Sequence, residues 1–185
     1  MKINGSLKVL FLLNSIFVFA SSLLGPLYAV YVNKIDSKII SVSFSWAVFM
    51  FSSTLFTYFV GKFGDRVKEQ EYLLAGGFLV RCLAWLGYIF VSDITGLILV
   101  QFVLGLGESL GTPAWNAIFA KHLDNSKEVM EYSNWNIINN LMVAAATVAG
   151  GVVVTYLGFN ILFVIMSVLA LVSLIGVLIT PRKIL

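Results

Sequence analysis

The sequence predicts an all-α integral membrane protein with six transmembrane helices. Apolar residues make up 59% of the chain and charged residues 11%, whereas soluble proteins carry about 25% charge. Six apolar stretches are each long enough to cross about 30 Å of hydrocarbon, which takes roughly 20 helical residues. The stretches are continuously apolar rather than alternating at every second residue, which favours helices over a β-barrel.

We number the predicted spans 1 to 6 in chain order. They cover residues 7–32, 39–60, 72–91, 95–118, 132–156 and 159–180. Span 1 begins like a signal peptide, with Lys2 and Lys8 ahead of an apolar run. Because the run continues to Val32 and five more spans follow, we expect an uncleaved first helix. We therefore expect residues 1–185 to form one membrane domain.

The lysines and arginines of the short connections predict the orientation in the membrane. One side would hold most of them, and the other side only Lys34 and Lys38. The larger set is Lys2, Lys8, Lys62, Arg66, Lys68, Lys121, Lys127, Arg182 and Lys183. This asymmetry predicts a multi-pass protein of the plasma (inner) membrane with both termini in the cytoplasm. Since the net charge of +3 reflects this topology, we expect membrane lipid and no nucleic acid as a partner.

Residue types that carry catalysis or metal binding are sparse. The single cysteine, Cys82, lies within span 3, which excludes an intramolecular disulfide and a site built on several thiolates. The single histidine, His122, lies in a connection, and neither a Ser/His/Asp set nor paired carboxylates occur. We therefore expect no enzyme activity, no cofactor and no metal.

A weak internal repeat relates the two halves of the chain. Residues 22–28 and 109–115 share Ser-Leu, then Pro, then an aromatic residue at identical spacing. Spans 1 and 4 run in opposite directions, so a repeat of about 1–92 in about 93–185 would be two inverted three-helix repeats. This plan is common in secondary transporters, whose sites lie near the midplane between the repeats.

The connection between spans 2 and 3 carries a recognisable motif. Its sequence, Gly-Lys-Phe-Gly-Asp-Arg at residues 61–66, resembles the first half of the signature loop of the major facilitator superfamily, Gly-x-Leu-x-Asp-Arg-x-Gly-Arg-Arg/Lys. Span 4 is also similar, because residues 101–107 resemble the family's Arg-x-x-x-Gly-x-Gly. The resemblance covers all six spans, and it implies transport of a small solute by alternating access.

Four departures from the family pattern limit what the resemblance implies. Lys68, Glu69 and Gln70 replace the glycine and two basic residues of the signature loop, and Gln101 stands where many proton-coupled members have arginine. The Gly-Pro pair typical of antiporter helix 5 is absent around residues 149–151. The largest departure is length, because family members usually have twelve helices. The resemblance thus implies one six-helix half, acting as a homodimer through spans 2 and 5 or with a complementary half. The alternative is a non-transporting scaffold or a truncated remnant of a transporter.

The resemblance also implies a conformational latch at Gly61, Gly64, Asp65 and Arg66. In the family, this acidic residue meets the cytoplasmic start of a helix in the opposite half, where the helix dipole and free N–H groups favour a carboxylate. In a homodimer that helix would be span 5 of the second copy. The alternative is a solvated loop charge.

Two charged residues, Arg81 and Glu108, lie deep within spans, where an ionisable group is costly and therefore suggests function. Counted from the span ends, Arg81 and Glu108 differ in depth by roughly 5 Å at 1.5 Å per residue. We therefore expect an intramembrane charge pair. It would either be a static clamp between spans 3 and 4, or Glu108 would face the cavity as a proton or cation site.

Uncharged polar residues cluster on spans 1, 4 and 5, which line the cavity in the family. The residues expected to contact solute or to take part in coupling are Asn14, Gln101, Glu108, Asn116, Asn136 and Asn140. The alternative for each amide is an interhelical hydrogen bond worth about 0.6 kcal/mol. With nearby tyrosine and tryptophan residues they predict an aromatic, mostly neutral pocket.

Overall fold

The protein is seen in a computed structural model, which describes residues 5–64, 67, 69–124 and 126–181. The described residues form α-helices joined by short connections and two 3₁₀ turns. In chain order these are α1 (Gly5–Ser22), a 3₁₀ turn (Gly25–Leu27), α2 (Tyr28–Ile35), α3 (Ile39–Phe63), α4 (Gln70–Gly87), a 3₁₀ turn (Tyr88–Phe90), α5 (Ile94–Lys121) and α6 (Glu128–Ile179).

Within the described residues, five helical segments are long and apolar enough to cross a membrane. They are Lys8–Ile35, Ile39–Phe63, Gln70–Phe90, Ile94–Lys121 and Glu128–Ile179. The prediction of an all-α membrane protein is confirmed. Spans 1 to 4 each coincide with one segment to within a few residues, and spans 5 and 6 both fall in α6.

Helix α6 is interrupted at one residue, Gly158, whose φ of 83° and ψ of 174° are not helical. Only glycine adopts this region without strain, because a Cβ atom would clash with the backbone. The interruption coincides with the predicted connection between spans 5 and 6. We call residues 128–157 the first arm of α6 and residues 159–179 the second arm.

The two arms run in opposite directions along the first span. The contacts, in order along α6, are Trp135 with Phe11, Gly150 with Leu23, Phe159 with Tyr31, and the Ser173 hydroxyl with the Leu13 carbonyl. The first arm thus follows α1 towards α2, and the second arm returns. The chain reverses at Gly158 with almost no loop.

Helix α5 packs along both α3 and α4, and α6 packs along α1 and α4. The first span changes from α-helix to a 3₁₀ turn at Gly25–Leu27, where Pro26 lacks the N–H that a continuous α-helix requires. Pro113, its counterpart in the predicted repeat, lies inside the continuous helix α5. The two matched segments therefore differ in backbone conformation.

Helices α4 and α5 approach each other closely through glycines. A Cβ atom added to Gly77 would lie 2.6 Å from the Cα of Gly111 and 3.0 Å from the carbonyl oxygen of Gly107. Small residues permit such backbone contact between helices in a membrane. The contact places Arg81, one turn after Gly77, beside Glu108.

Candidate functional site

The structure brings Arg81 of α4 and Glu108 of α5 into direct contact. Arg81 Nη2 donates to Glu108 Oε2 at 2.6 Å, so the pair is both an ion pair and a hydrogen bond. The Arg81 side chain is 9% exposed and that of Glu108 34%. The carboxylate is therefore the more accessible partner.

Two further residues hold the pair. Arg81 Nη2 also donates to Thr112 Oγ1 at 3.3 Å, and the Thr112 hydroxyl donates to Glu108 Oε1. The guanidinium carbon of Arg81 lies 4.9 Å from the centre of the Phe17 ring, within the range of a cation–π interaction. Both carboxylate oxygens and the cation thus have partners, and the cluster is neutral overall.

The pair lies between two adjoining cavities. The larger has a volume of about 240 Å³, and its walls carry the aromatic side chains Tyr28, Trp46, Phe49, Trp85 and Tyr88. The smaller, of about 130 Å³, extends towards Asn14, Phe78 and Trp115. Ser21, Arg81 and Glu108 line both. A change in this pair would therefore alter the lining of both cavities.

A chain of neutral hydrogen bonds stiffens the wall of the larger cavity. The Gln101 amide donates to the Tyr28 hydroxyl. That hydroxyl lies 2.6 Å from Ser45 Oγ, and the Ser45 hydroxyl donates to the Ser41 carbonyl at 2.7 Å. The chain ties α2 to α3 and α5, and it provides polar groups without adding charge.

The predicted site residues separate into three groups. Gln101 and Glu108 line the larger cavity, and Asn14 lines the smaller one. Asn116, Asn136 and Asn140 are exposed and line neither. The structure therefore does not bring these three asparagines into contact with the charge pair, and their role in a cavity stays a prediction.

The predicted latch is described only in part. Gly61 lies in the last turn of α3 and Gly64 directly follows that helix. Asp65 and Arg66 lie outside the described residues. The latch therefore stays a prediction.

Several residues of the site were not predicted from the sequence. Thr112 lies four residues after Glu108, and Trp85 four residues after Arg81, so each follows a charged residue by one helical turn. That spacing is the signal that could have identified both. Ser45 has no such signal, because its contact with Tyr28 depends on how α2 meets α3. In the part of the chain that the structure describes, no group of three or more His, Cys, Asp or Glu residues could hold a metal ion.

Comparisons with known proteins agree with this architecture. A family model described as Major Facilitator Superfamily matches residues 10–184. A curated relative, the uncharacterized MFS-type transporter YitZ of Bacillus subtilis (strain 168), is 25% identical over 156 residues, which cover 84% of this chain and 94% of the relative.

The crystal structure of the POT family transporter PepTSo, determined in meso, matches with a TM-score of 0.75 at 13% sequence identity. The match covers 96% of this chain and 37% of that one. At this identity the likeness shows the fold alone. The chain thus spans well under half the length of this structural relative.

Proposed function

The chain belongs to the major facilitator superfamily, and from this we propose that it moves a small solute across the membrane by alternating access. The observation that carries the proposal is the aromatic cavity beside Glu108, because ligand sites are mostly apolar concavities with a few polar groups. Its Tyr28 and Gln101 side chains supply such groups.

The size of the cavity favours a second six-helix unit. Its volume of about 240 Å³ lies below the roughly 300–1,000 Å³ of typical ligand pockets. A partner unit, either a second copy or a complementary half, would enclose additional space. The 37% coverage of the PepTSo chain is consistent with one half of a transporter.

The three exposed asparagines support the same proposal. Asn136 and Asn140 lie one turn apart on the first arm of α6, and Asn116 lies on α5; all three are exposed in the single chain. Polar groups facing hydrocarbon are unfavourable, and they usually face the interior of a helix bundle. A partner unit would cover them, and they would then line the cavity between the two units.

The topology and the latch belong to the same proposal. We assign six crossings, with both arms of α6 spanning the membrane, both termini in the cytoplasm of a plasma-membrane protein, and two inverted three-helix repeats within a single domain. Asp65 would meet the partner's first arm at its cytoplasmic start and hold the outward-facing state. The break at Gly158 and the opposite directions of the arms support the six crossings.

Alternating access can be tested without knowing the solute. In a Cys82→Ser background, Ser21→Cys would place a thiol at the junction of the two cavities. We expect a membrane-impermeant maleimide to label it from one side, and we expect Asp65→Asn to shift labelling towards the other. Lys38→Cys, in the exposed connection between α2 and α3 and away from the proposed latch, is the control and should be labelled from the same side in both backgrounds.

Labelling of Ser21→Cys that is identical with and without Asp65→Asn would contradict the latch. A protein that is strictly monomeric in lipid nanodiscs and carries no solute in proteoliposomes would contradict transport by paired halves and favour a scaffold. Solutes for the transport assay can be chosen by the rise they cause in the thermal unfolding temperature of the purified protein.

A further inference from the structure

An apolar groove runs along the side of α1 that faces away from the two cavities. Asn14 and Phe17 line the smaller cavity, whereas Leu12, Ser15 and Ile16 line the groove. At 3.6 residues per turn these two sets point to nearly opposite sides of α1. The groove has a volume of about 430 Å³, and it does not share a residue with either cavity.

The walls of the groove are the two arms of α6. Ile138 and Met142 of the first arm and Leu169 of the second arm line it. The arms are joined at Gly158, and at 1.5 Å per residue Leu169 lies about 16 Å and Ile138 about 30 Å from that turn. The groove is therefore confined to the part of the arms that is farther from Gly158, where Lys8 and Leu12 of α1 are exposed.

The length of the groove matches one leaflet of a bilayer. Its floor on α1 extends from Lys8 to Phe19, which is about 16 Å at 1.5 Å per residue. Half of the roughly 30 Å hydrocarbon core is about 15 Å. Lys8, which is exposed, lies at the end of this floor that is farther from Gly158, and we expect the polar headgroups of that leaflet at this depth.

The lining of the groove is almost entirely apolar between Lys8 and Phe19. Ser15 is the exception: it is buried, and its hydroxyl has no hydrogen-bond partner within the described part of the chain. A larger apolar side chain at this position would fill the groove without breaking a hydrogen bond. Ser15 is therefore a suitable position for testing what occupies the groove.

We propose that the groove binds a phospholipid of this leaflet, with one acyl chain along the exposed side of α1 and the phosphate at the Lys8 ammonium. The apolar lining suits an acyl chain, the length suits one leaflet, and Lys8, the cation that lines the headgroup end among the described residues, suits a phosphate. The site is separate from the proposed solute path, so it goes beyond the transport function.

The test uses the full chain in nanodiscs of zwitterionic lipid that contain an anionic phospholipid with a photoreactive acyl chain. After irradiation, we expect the lipid to label peptides that contain residues 8–19 and 138–142. Lys8→Ala should lower the yield about fivefold, the contribution of one lysine near an anionic surface. Ser15→Phe should also lower the labelling yield, because the larger side chain would block the path of the acyl chain.

Matched controls are Lys121→Ala, a basic residue at the end of α5, and Val148→Phe, an exposed residue of the first arm. Both should leave the yield unchanged. If Ser15→Phe does not fold, Leu12→Trp replaces it, because Leu12 is 62% exposed and its larger side chain has room at the mouth of the groove.

Two results would overturn the proposal. In one, Lys8→Ala lowers the labelling yield no more than Lys121→Ala does, and Ser15→Phe, or Leu12→Trp in its place, lowers it no more than Val148→Phe does. The other is efficient bis-maleimide crosslinking between copies of the protein through Leu12→Cys in the Cys82→Ser background, since the groove would then be covered by a second copy.

Discussion

The contact between Arg81 and Glu108 predicts a large cost for removing one of the two charges. Glu108→Gln keeps the shape of the side chain and removes its charge. Arg81, whose side chain is 9% exposed, would then have only neutral partners. They are the glutamine side-chain oxygen, the Thr112 hydroxyl at 3.3 Å and the face of the Phe17 ring at 4.9 Å. A buried cation would be left without a counter-charge.

The expected loss follows from the geometry of the pair. Removing one partner of a fully buried ion pair costs about 3–5 kcal/mol. Here the carboxylate is one-third exposed, and the glutamine oxygen can still accept a hydrogen bond. We therefore expect Glu108→Gln to lower the free energy of unfolding by about 2–3 kcal/mol.

A double-mutant cycle isolates the interaction from other effects of each substitution. The free energy of unfolding would be measured for Glu108→Gln, Arg81→Met and the double variant in mixed micelles, by tryptophan fluorescence during a denaturant titration. Because the double variant leaves neither charge unpaired, we expect it to lose about 2 kcal/mol less than the sum of the single variants.

The control is the exposed ion pair of Lys127 and Asp124, whose atoms are 3.3 Å apart and whose side chains are 55% and 42% exposed. Exposed pairs contribute about 0–1 kcal/mol, so Asp124→Asn should have a small effect. The reasoning is refuted if Glu108→Gln costs no more than Asp124→Asn, or if the two substitutions of the buried pair are additive.

Three further predictions use the same unfolding measurement. Gly77→Ala should lower the free energy of unfolding by about 1–3 kcal/mol, because its Cβ atom would lie 2.6 Å from the backbone of α5. Gly61→Ala is the control and should not lower it, because nothing lies within 4 Å of the added atom. Equal losses for the two variants would contradict the close contact between α4 and α5. Gly158→Ala should cost about 1–3 kcal/mol through backbone strain, whereas Gly151→Ala should not; a neutral Gly158→Ala would mean that the turn tolerates another conformation. Gln101→Leu should cost about 1 kcal/mol by removing the donor to Tyr28, and no loss would show that this hydrogen bond adds nothing to stability.

The charge pair could be predicted from the sequence for a physical reason. An ionisable group in a span needs a partner, and helix geometry gives its depth from the nearest span end. Arg81 and Glu108 are similar in depth and lie on consecutive spans, so few other pairings were available. Their contact is found in the structure, whereas a role in coupling stays a prediction.

The environment of the asparagines could not be predicted in the same way. A polar residue in an apolar span indicates that some polar surface is needed, but not which neighbour supplies it. The direction in which Asn136 and Asn140 point depends on how the first arm of α6 rotates against α1. In the single chain that rotation leaves both exposed, outside the cavities that the charge pair lines.

The 3₁₀ turn of the first span and the apolar groove could not be predicted from local sequence signals. Gly25 and Pro26 are compatible with either a 3₁₀ turn or a continuous helix, and the corresponding dipeptide in α5, Thr112 and Pro113, lies in continuous helix. The groove depends on how the two arms of α6 pack against α1, which is a tertiary property.

The reversal at Gly158 also affects how the two arms of α6 insert into the membrane during synthesis. The turn residues Leu157, Gly158 and Asn160 carry no charge, and each charge carried into the hydrocarbon would add about 2.5–3.5 kcal/mol. Because the connection is too short for the two arms to insert one after the other, we expect both arms to insert together as one helical hairpin. Two lysines inserted after Gly158 should hinder this step, and protease protection of newly made chains in membrane vesicles would reveal an uninserted hairpin.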